Sequence, residues 1–261
     1  MATVTSTPFS SQSSFRRTLG FRAHFNVSCR SHKSSLSPLP KTLMAIENSG
    51  VIACLRAQSA ELAREAAHAA LEGGISVLEI VTLTPGVFEV IQGLVHDHPT
   101  SVIGVGTVLN TKDARNGMKA GAKFLMSPAT VKEISDDFHG SDVLYIPGVM
   151  TPTEVLNAYN AGARIVKVYP ISALGGAQYI SALKRPFSHI PMVASQGITI
   201  DSVETYIAQG ASAVVLSDAI FNKEAMRLRN FSAIYELARR ATLHGYEAVN
   251  RKRAENQFVA V

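Results

Sequence analysis

The chain has 261 residues, 46% of them hydrophobic and 17% charged, with two cysteines and a formal net charge of +5. These values suit one soluble domain of the larger kind, or two small ones, able to bury a full core. They leave no uncharged apolar run long enough to span a bilayer and no disulfide framework.

The first 45 residues are rich in Ser and Thr, as in Ser10-Ser11-Gln12-Ser13-Ser14, and carry Arg16, Arg17, Arg22, Arg30, Lys33 and Lys41, with no acid before Glu47. That is the composition of a transit peptide, expected over residues 1–45. The Ser-rich opening after Met1-Ala2 points to the chloroplast stroma, with the mitochondrial matrix as the alternative. No apolar stretch of the signal-peptide kind follows the early arginines, which argues against secretion. The other 19 basic residues stand against 20 acidic ones, so the mature protein is near neutral. Neither nucleic acid nor a membrane is expected as a partner. Cys29 falls in the leader, and Cys54 reads as a small buried apolar residue.

From residue 46 to 245, short β-branched runs alternate with helical-period segments, the pattern of βα units on a parallel sheet. Eight runs occur, at 51–55, 76–81, 102–108, 123–127, 143–149, 164–169, 192–195 and 213–217. Helical segments between them include 59–72, 111–120, 153–161 and 200–209. Four of the runs follow one small-residue device, Glu72-Gly73-Gly74, Ala120-Gly121-Ala122, Ala161-Gly162-Ala163 and Gln209-Gly210-Ala211. A glycine past a helix end supplies a left-handed cap. The repetition predicts an α/β fold, a single-domain (β/α)₈ TIM barrel. A doubly wound open sheet is the alternative, disfavoured because no Gly-x-Gly-x-x-Gly turn follows the first strand. A terminal amphipathic helix is expected over 224–247, and 246–261, with Asn250-Arg251-Lys252-Arg253, reads as a solvated polar tail.

In such a barrel, catalytic groups come from the C-terminal ends of different strands. Lys167 interrupts the apolar run Arg164-Ile165-Val166-Lys167-Val168-Tyr169-Pro170. Burying a lone ammonium is costly, so a lysine there pairs with an acid or sheds its proton and becomes a nucleophile toward ketones. Glu79, in Val77-Leu78-Glu79-Ile80-Val81, is the second ionisable residue inside an apolar strand. The two form either a structural ion pair or an imine-forming lysine with a proton-shuttling carboxylate. Arg56, at the end of the first strand, offers a charge for a substrate carboxylate. Thr107, after Gly104 and Gly106, could bond the same group. Pro128 ends the fourth strand. Ser195-Gln196-Gly197 and Ser217-Asp218 end the seventh and eighth, and Gly197 precedes a helix whose N-terminus could hold an anion.

Over residues 45–225 these features resemble the 2-keto-3-deoxy-6-phosphogluconate and 4-hydroxy-2-oxoglutarate aldolases, class I pyruvate-forming lyases with a (β/α)₈ barrel. The resemblance rests on Leu78-Glu79-Ile80, Gly104-Val105-Gly106-Thr107-Val108-Leu109 and Ser127-Pro128. It continues through Ile146-Pro147-Gly148-Val149, Val166-Lys167-Val168-Tyr169-Pro170, Gly175-Gly176-Ala177 and Pro186-Phe187-Ser188. It implies a homotrimer without cofactor or metal, with pyruvate and an aldehyde as its small-molecule partners, and together with the leader it makes the chain a plant plastid-type member. Lys167 would be the Schiff-base nucleophile and Glu79 the proton-transfer residue, with Thr107 and Pro128 lining the pyruvate end. The gluconate-type enzymes have an arginine where this chain has Leu83. The galactonate-type relatives instead have one matching Arg56, which would then take the carboxylate. The family's phosphate-end Thr-Gly-Gly becomes Ser195-Gln196-Gly197, and its Gly-Gly-Ser falls on Leu216-Ser217-Asp218. Ser195, Gly197 and Ser217 would still contact the distal end of a substrate whose aldehyde half differs from the family's. A non-catalytic carboxylate-binding barrel is the rival expectation, and oxaloacetate decarboxylation a side activity of the same imine chemistry.

Overall fold

The computed structural model describes residues 38–259. Residues 1–37, with most of the expected transit peptide, lie outside the described residues. The described chain opens with α1 (Pro38–Ser49), β1 (Val51–Leu55), α2 (Ala60–Glu72), β2 (Val77–Val81) and α3 (Val87–Asp97). It continues with β3 (Val102–Gly106), α4 (Thr111–Lys119), β4 (Phe124–Met126), α5 (Lys132–Phe138), β5 (Leu144–Ile146) and β6 (Gly148–Val149). Then come α6 (Pro152–Asn160), β7 (Val166–Val168), α7 (Ala177–Lys184), β8 (Met192–Ser195), α8 (Val203–Ala208), β9 (Ala213–Leu216), α9 (Lys223–Arg227) and α10 (Phe231–Val259). Gly74, Gly121, Gly162 and Gly210, the glycines of the repeated device, all have positive φ, between 93° and 111°, as left-handed helix ends require.

All paired strands are parallel, in the order β5-β4-β3-β2-β1-β9-β8-β7-β6. The run 143–149, expected as one strand, is divided at Pro147, because proline brings no N–H to the ladder. The Pro147 carbonyl still accepts from the Lys167 N–H at 2.8 Å. β5 pairs with β4 and β6 with β7, so the two halves of one run join the ends of the sheet. The fold is the expected (β/α)₈ TIM barrel.

Period-two alternation gives each strand an outer face against helices and an inner face in the lumen. On β1, Val51, Ala53 and Leu55 pack outward. Ile52 packs inward with Val77, Phe124, Met126, Ile146, Val193 and Val215. Ile46 of α1 joins this inner group, and α1 contacts β1, β2, β5 and β9, closing the N-terminal end of the barrel. Residues 38–45, which composition groups with the leader, are therefore part of the folded unit. Phe124 is fully buried, and its register partner on β3 is Gly104, where a Cβ would come within 2.5 Å of the ring. Phe124→Ala is expected to lower the unfolding free energy by about 3–5 kcal/mol in urea denaturation. A loss below about 1 kcal/mol would mean that the lumen collapses onto the vacated space.

The stretch expected as a free polar tail is instead the end of α10. Arg251 pairs with Glu204 and Arg253 bonds Asn48, while Lys252 Nζ donates to Ala211 O at 2.9 Å. These cations satisfy groups at the N-terminal end of the barrel, which is why a polar segment stays helical there. Among the described residues no helix is long and apolar enough to cross a membrane.

Candidate active site

The alternation that turns Val166 and Val168 outward turns Lys167 into the lumen. On β2, outward Leu78 and Ile80 leave Glu79 facing the same space. Both residues are buried, with 6% and 1% of their surface exposed. No carboxylate among the described residues lies within 4.0 Å of Lys167 Nζ, so the two do not form the closed ion pair that a purely structural role would give. Glu79 Oε2 is buried without any hydrogen-bond partner. A charged group left in that state costs stability, and such groups concentrate where chemistry is done.

Neighbouring strands make the space for this carboxylate. Gly106 of β3 is level with Val81, and a Cβ on it would lie 1.6 Å from Glu79 Oε1. Gly106 thus makes room for Glu79. On the other flank the register partner of Glu79 is Cys54 of β1, with the inner-face Ile52 two residues before it. Cys54 is thus no simple apolar filler. Burial, and next the negative charge of Glu79, push its thiol pKa well up, while Lys167 and, more weakly, Arg56 pull it down. Some surface of Cys54 remains accessible. Register and strand alternation turn Cys54, Glu79 and Lys167 toward the lumen. Tyr169 joins them: its ring centroid is 5.3 Å from Lys167 Nζ, within cation–π range. Its position two residues after Lys167 was the available signal, since i and i+2 share a strand face.

Pro128 stands beside this cluster. Gly148, the register partner of Lys167, approaches it so closely that a Cβ would meet the Pro128 carbonyl carbon at 2.2 Å. The preceding Ser127 is buried, donating to Val108 O at 2.6 Å and accepting from Tyr145 Oη at 3.1 Å. Thr107 holds φ 58°, rare for a β-branched residue, and its carbonyl accepts from Thr82 Oγ1 at 3.0 Å. Ser195 ends β8 and is 4% exposed. Gln196 and Gly197 follow it, both exposed, with φ 90° and 72°; Gln196 Oε1 accepts from Ser172 Oγ. Thr107, Ser195 and Gly197 make no hydrogen bond to either lumen charge.

Arg56 and Ser217 line a groove of 1180 Å³ together with Leu83, Pro85 and Asp218. The groove lies over the C-terminal ends of β9, β1 and β2, and neither Lys167 nor Glu79 lines it. Arg229 in its wall is paired with Glu61 and Glu65 at 3.1 and 3.3 Å, and Arg227 with Glu224 at 2.6 Å. Arg56 has no carboxylate within 4.0 Å among the described residues, so its guanidinium is available to a ligand. A second cavity, of 460 Å³, lies between α5, β5 and α6 and is lined by neither Arg56, Ser217, Lys167 nor Glu79. Among the described residues no group of three His, Cys, Asp or Glu side chains is arranged to hold a metal ion. A buried amine and a buried carboxylate, unpaired and facing one lumen, can form an imine with a ketone and move the protons that its formation and breakdown require.

Residues 44–237 match the profile of the KDPG and KHG aldolases. A 2-dehydro-3-deoxy-phosphogluconate aldolase of Treponema pallidum is 32% identical over 164 residues, covering 63% of this chain and 78% of the relative. A KHG/KDPG aldolase of Escherichia coli is 27% identical over 175 residues, covering 67% and 82%. Among solved structures, a KDPG aldolase from Legionella pneumophila, with pyruvate captured as a covalent carbinolamine intermediate, aligns with a TM-score of 0.71. It is 28% identical and is covered over 76% of this chain and 96% of its own.

Proposed function

We propose, from the premise that this chain belongs to the KDPG and KHG aldolase family, that it works through an imine on Lys167. The chain is a class I aldolase, a carbon–carbon lyase. It cleaves a 2-keto-3-deoxy sugar acid, with or without a 6-phosphate, or a 4-hydroxy-2-oxo acid into pyruvate and an aldehyde.

The Lys167 amine adds to the C2 ketone, and the carbinolamine loses water to give an iminium. Glu79 takes the proton of the C4 hydroxyl, the C3–C4 bond breaks, and its electron pair passes into the iminium as the aldehyde leaves. Glu79 then returns the proton to C3 of the enamine, and hydrolysis frees pyruvate and the amine. Arg56 and Thr107 hold the substrate carboxylate, Pro128 lines the pyruvate end, and Ser195, Gly197 and Ser217 meet the distal end. The observation that carries this reading is the pair of buried charges left unpaired in the lumen. Incubation with pyruvate and borohydride should leave one reduced adduct, on Lys167, in a peptide map. A map with Lys167 unmodified would end the imine mechanism.

At the distal end, Gln196 occupies a backbone conformation that favours glycine, and its side chain is tied to Ser172, while Asp218 at the rim is paired with Lys223 at 3.9 Å. The Gln196 backbone supports an unphosphorylated aldehyde half. Gln196→Gly is expected to relieve up to about 1 kcal/mol of backbone strain. It should also lower the KM for a 6-phosphorylated keto-deoxy acid by roughly tenfold, by opening backbone N–H groups to the anion. An unchanged preference between phosphorylated and unphosphorylated substrates would count against this assignment.

The same reading takes the protein to be a plant plastid-type member acting in the chloroplast stroma as a homotrimer. The Ser/Thr-rich, acid-free leader supports import, and the family resemblance supports the trimer.

A further inference from the structure

The loops after β3 and β4, which carry Thr107 and Pro128, are tied together by a row of hydrogen bonds that reaches in from outside the barrel. Tyr145 of β5 packs with the residues of the outer face and is buried. Its Oη accepts from the backbone N–H of Val131 at 3.0 Å and donates to Ser127 Oγ at 3.1 Å. Ser127, fully buried, donates in turn to Val108 O at 2.6 Å. Each hydroxyl in the row both donates and accepts, so each bond polarises the next. The row brackets Pro128, which lies between Ser127 and Val131, and it ends on the residue after Thr107. Thr107 holds φ 58°, a conformation that persists in a β-branched residue only where the surrounding structure imposes it. Thr130 Oγ1 donates to Gly148 O at 3.0 Å, so the Pro128 loop is held against β6 as well.

We propose that Tyr145 is a positioning residue for the pyruvate end, its hydroxyl fixing the loop that carries Pro128 against the loop that carries Thr107. This rests on the reading in which Thr107 and Pro128 receive the pyruvate held on Lys167, and it adds the group that sets their separation. Tyr145 acts from the outer face and transmits geometry through Ser127 and Val131. Burial pushes its pKa up, partly offset by its two hydrogen bonds, so the phenol keeps its proton at neutral pH. The two loops hold the part of the substrate that stays on Lys167 throughout the reaction, so they bind ground state and transition state alike. Loss of such binding raises the half-saturating substrate concentration and leaves the saturated rate nearly unchanged.

Tyr145→Phe keeps the ring and removes the hydroxyl. Y145F is expected to raise the pyruvate concentration that half-saturates methyl-proton exchange by roughly tenfold, with the saturated rate within about threefold of native. Borohydride at saturating pyruvate still traps the adduct on Lys167. Ser127→Ala breaks the same row at its middle, so Y145F/S127A should be no worse than S127A alone, whereas independent effects would multiply. Ile134→Val, at a fully buried position of α5, lowers stability without touching the row and should leave half-saturation at the native value. A Y145F protein with lowered melting temperature but native half-saturation would overturn the proposal. So would multiplying effects in the double variant, or an I134V shift as large as that of Y145F. Amide hydrogen exchange gives a readout that needs no activity: the Val131 N–H should exchange faster in Y145F, and unchanged protection would equally overturn it. Failure of the underlying reading looks different. Without an imine on Lys167 the native protein gives no pyruvate adduct, and with the pyruvate end elsewhere Thr107→Ala leaves half-saturation unchanged, whatever the Val131 amide shows.

Discussion

Lys167→Met should lose the borohydride-trapped pyruvate adduct entirely and reduce aldol cleavage by on the order of 10⁴-fold or more, because the covalent route is closed. Methionine matches the length and most of the volume of the lysine, so packing against Val193 and Gly148 is retained. Removing a buried charge that has no carboxylate within 4.0 Å should leave thermal stability equal or slightly higher, since desolvating an unpaired ion opposes folding. Loss of activity with no loss of stability is therefore the expected signature, measured by single-turnover assay beside a melting curve. Two other lysines test the specificity of the adduct. Burial pushes the ammonium pKa of both Lys184 and Lys252 down. Yet Lys184 Nζ donates to Ser188 O and Ile190 O, each at 2.8 Å, and Lys252 Nζ to Ala211 O at 2.9 Å. These amines are held by backbone carbonyls and meet no carboxylate or groove of the candidate site. An adduct on either of them, or on the K167M protein, would remove Lys167 from the mechanism.

Gly106→Ala is the second large effect and acts without touching a titratable residue. The added methyl would stand 1.6 Å from Glu79 Oε1, which no small adjustment accommodates, so the carboxylate must leave its place. Proton transfer by a positioned side chain contributes about 10²–10⁴-fold, and that factor should be lost from pyruvate methyl-proton exchange, while trapping at Lys167 persists in reduced yield. Overpacking in the lumen should cost about 1–3 kcal/mol as well. Glu79→Gln supplies the comparison, since it keeps the shape and removes the base. G106A exchanging protons at the native rate would show that the carboxylate has a second working position.

Much of this was legible in the chain because period-two alternation is local. It marks Lys167 and Glu79 as inward among outward neighbours, and it locates the strand ends where Arg56, Ser195 and Ser217 stand. The repeated helix-closing glycines disclosed the αβ repeat for the same reason. What the chain hides is register between strands. Nothing near Glu79 in sequence says that the space for its carboxylate comes from Gly106, or that Cys54 is level with it on β1; both depend on pairings between distant segments. The docked end of α10 was hidden likewise, because Arg251, Lys252 and Arg253 look solvated until Glu204, Ala211 and Asn48 are brought beside them. The division at Pro147 was visible as a proline, but its consequence appeared only when each half was seen to pair with a different strand.

That division has a kinetic meaning. The two ends of the sheet meet at Pro147, and the backbone N–H of Lys167 is bonded to the Pro147 carbonyl across the joint. A chain that has paired every strand except β6 with β7 would carry Lys167 on an open edge, exposed to water. The lysine becomes a buried reagent only when the ring shuts. Recovery of adduct formation during refolding would therefore time the closing of the barrel itself.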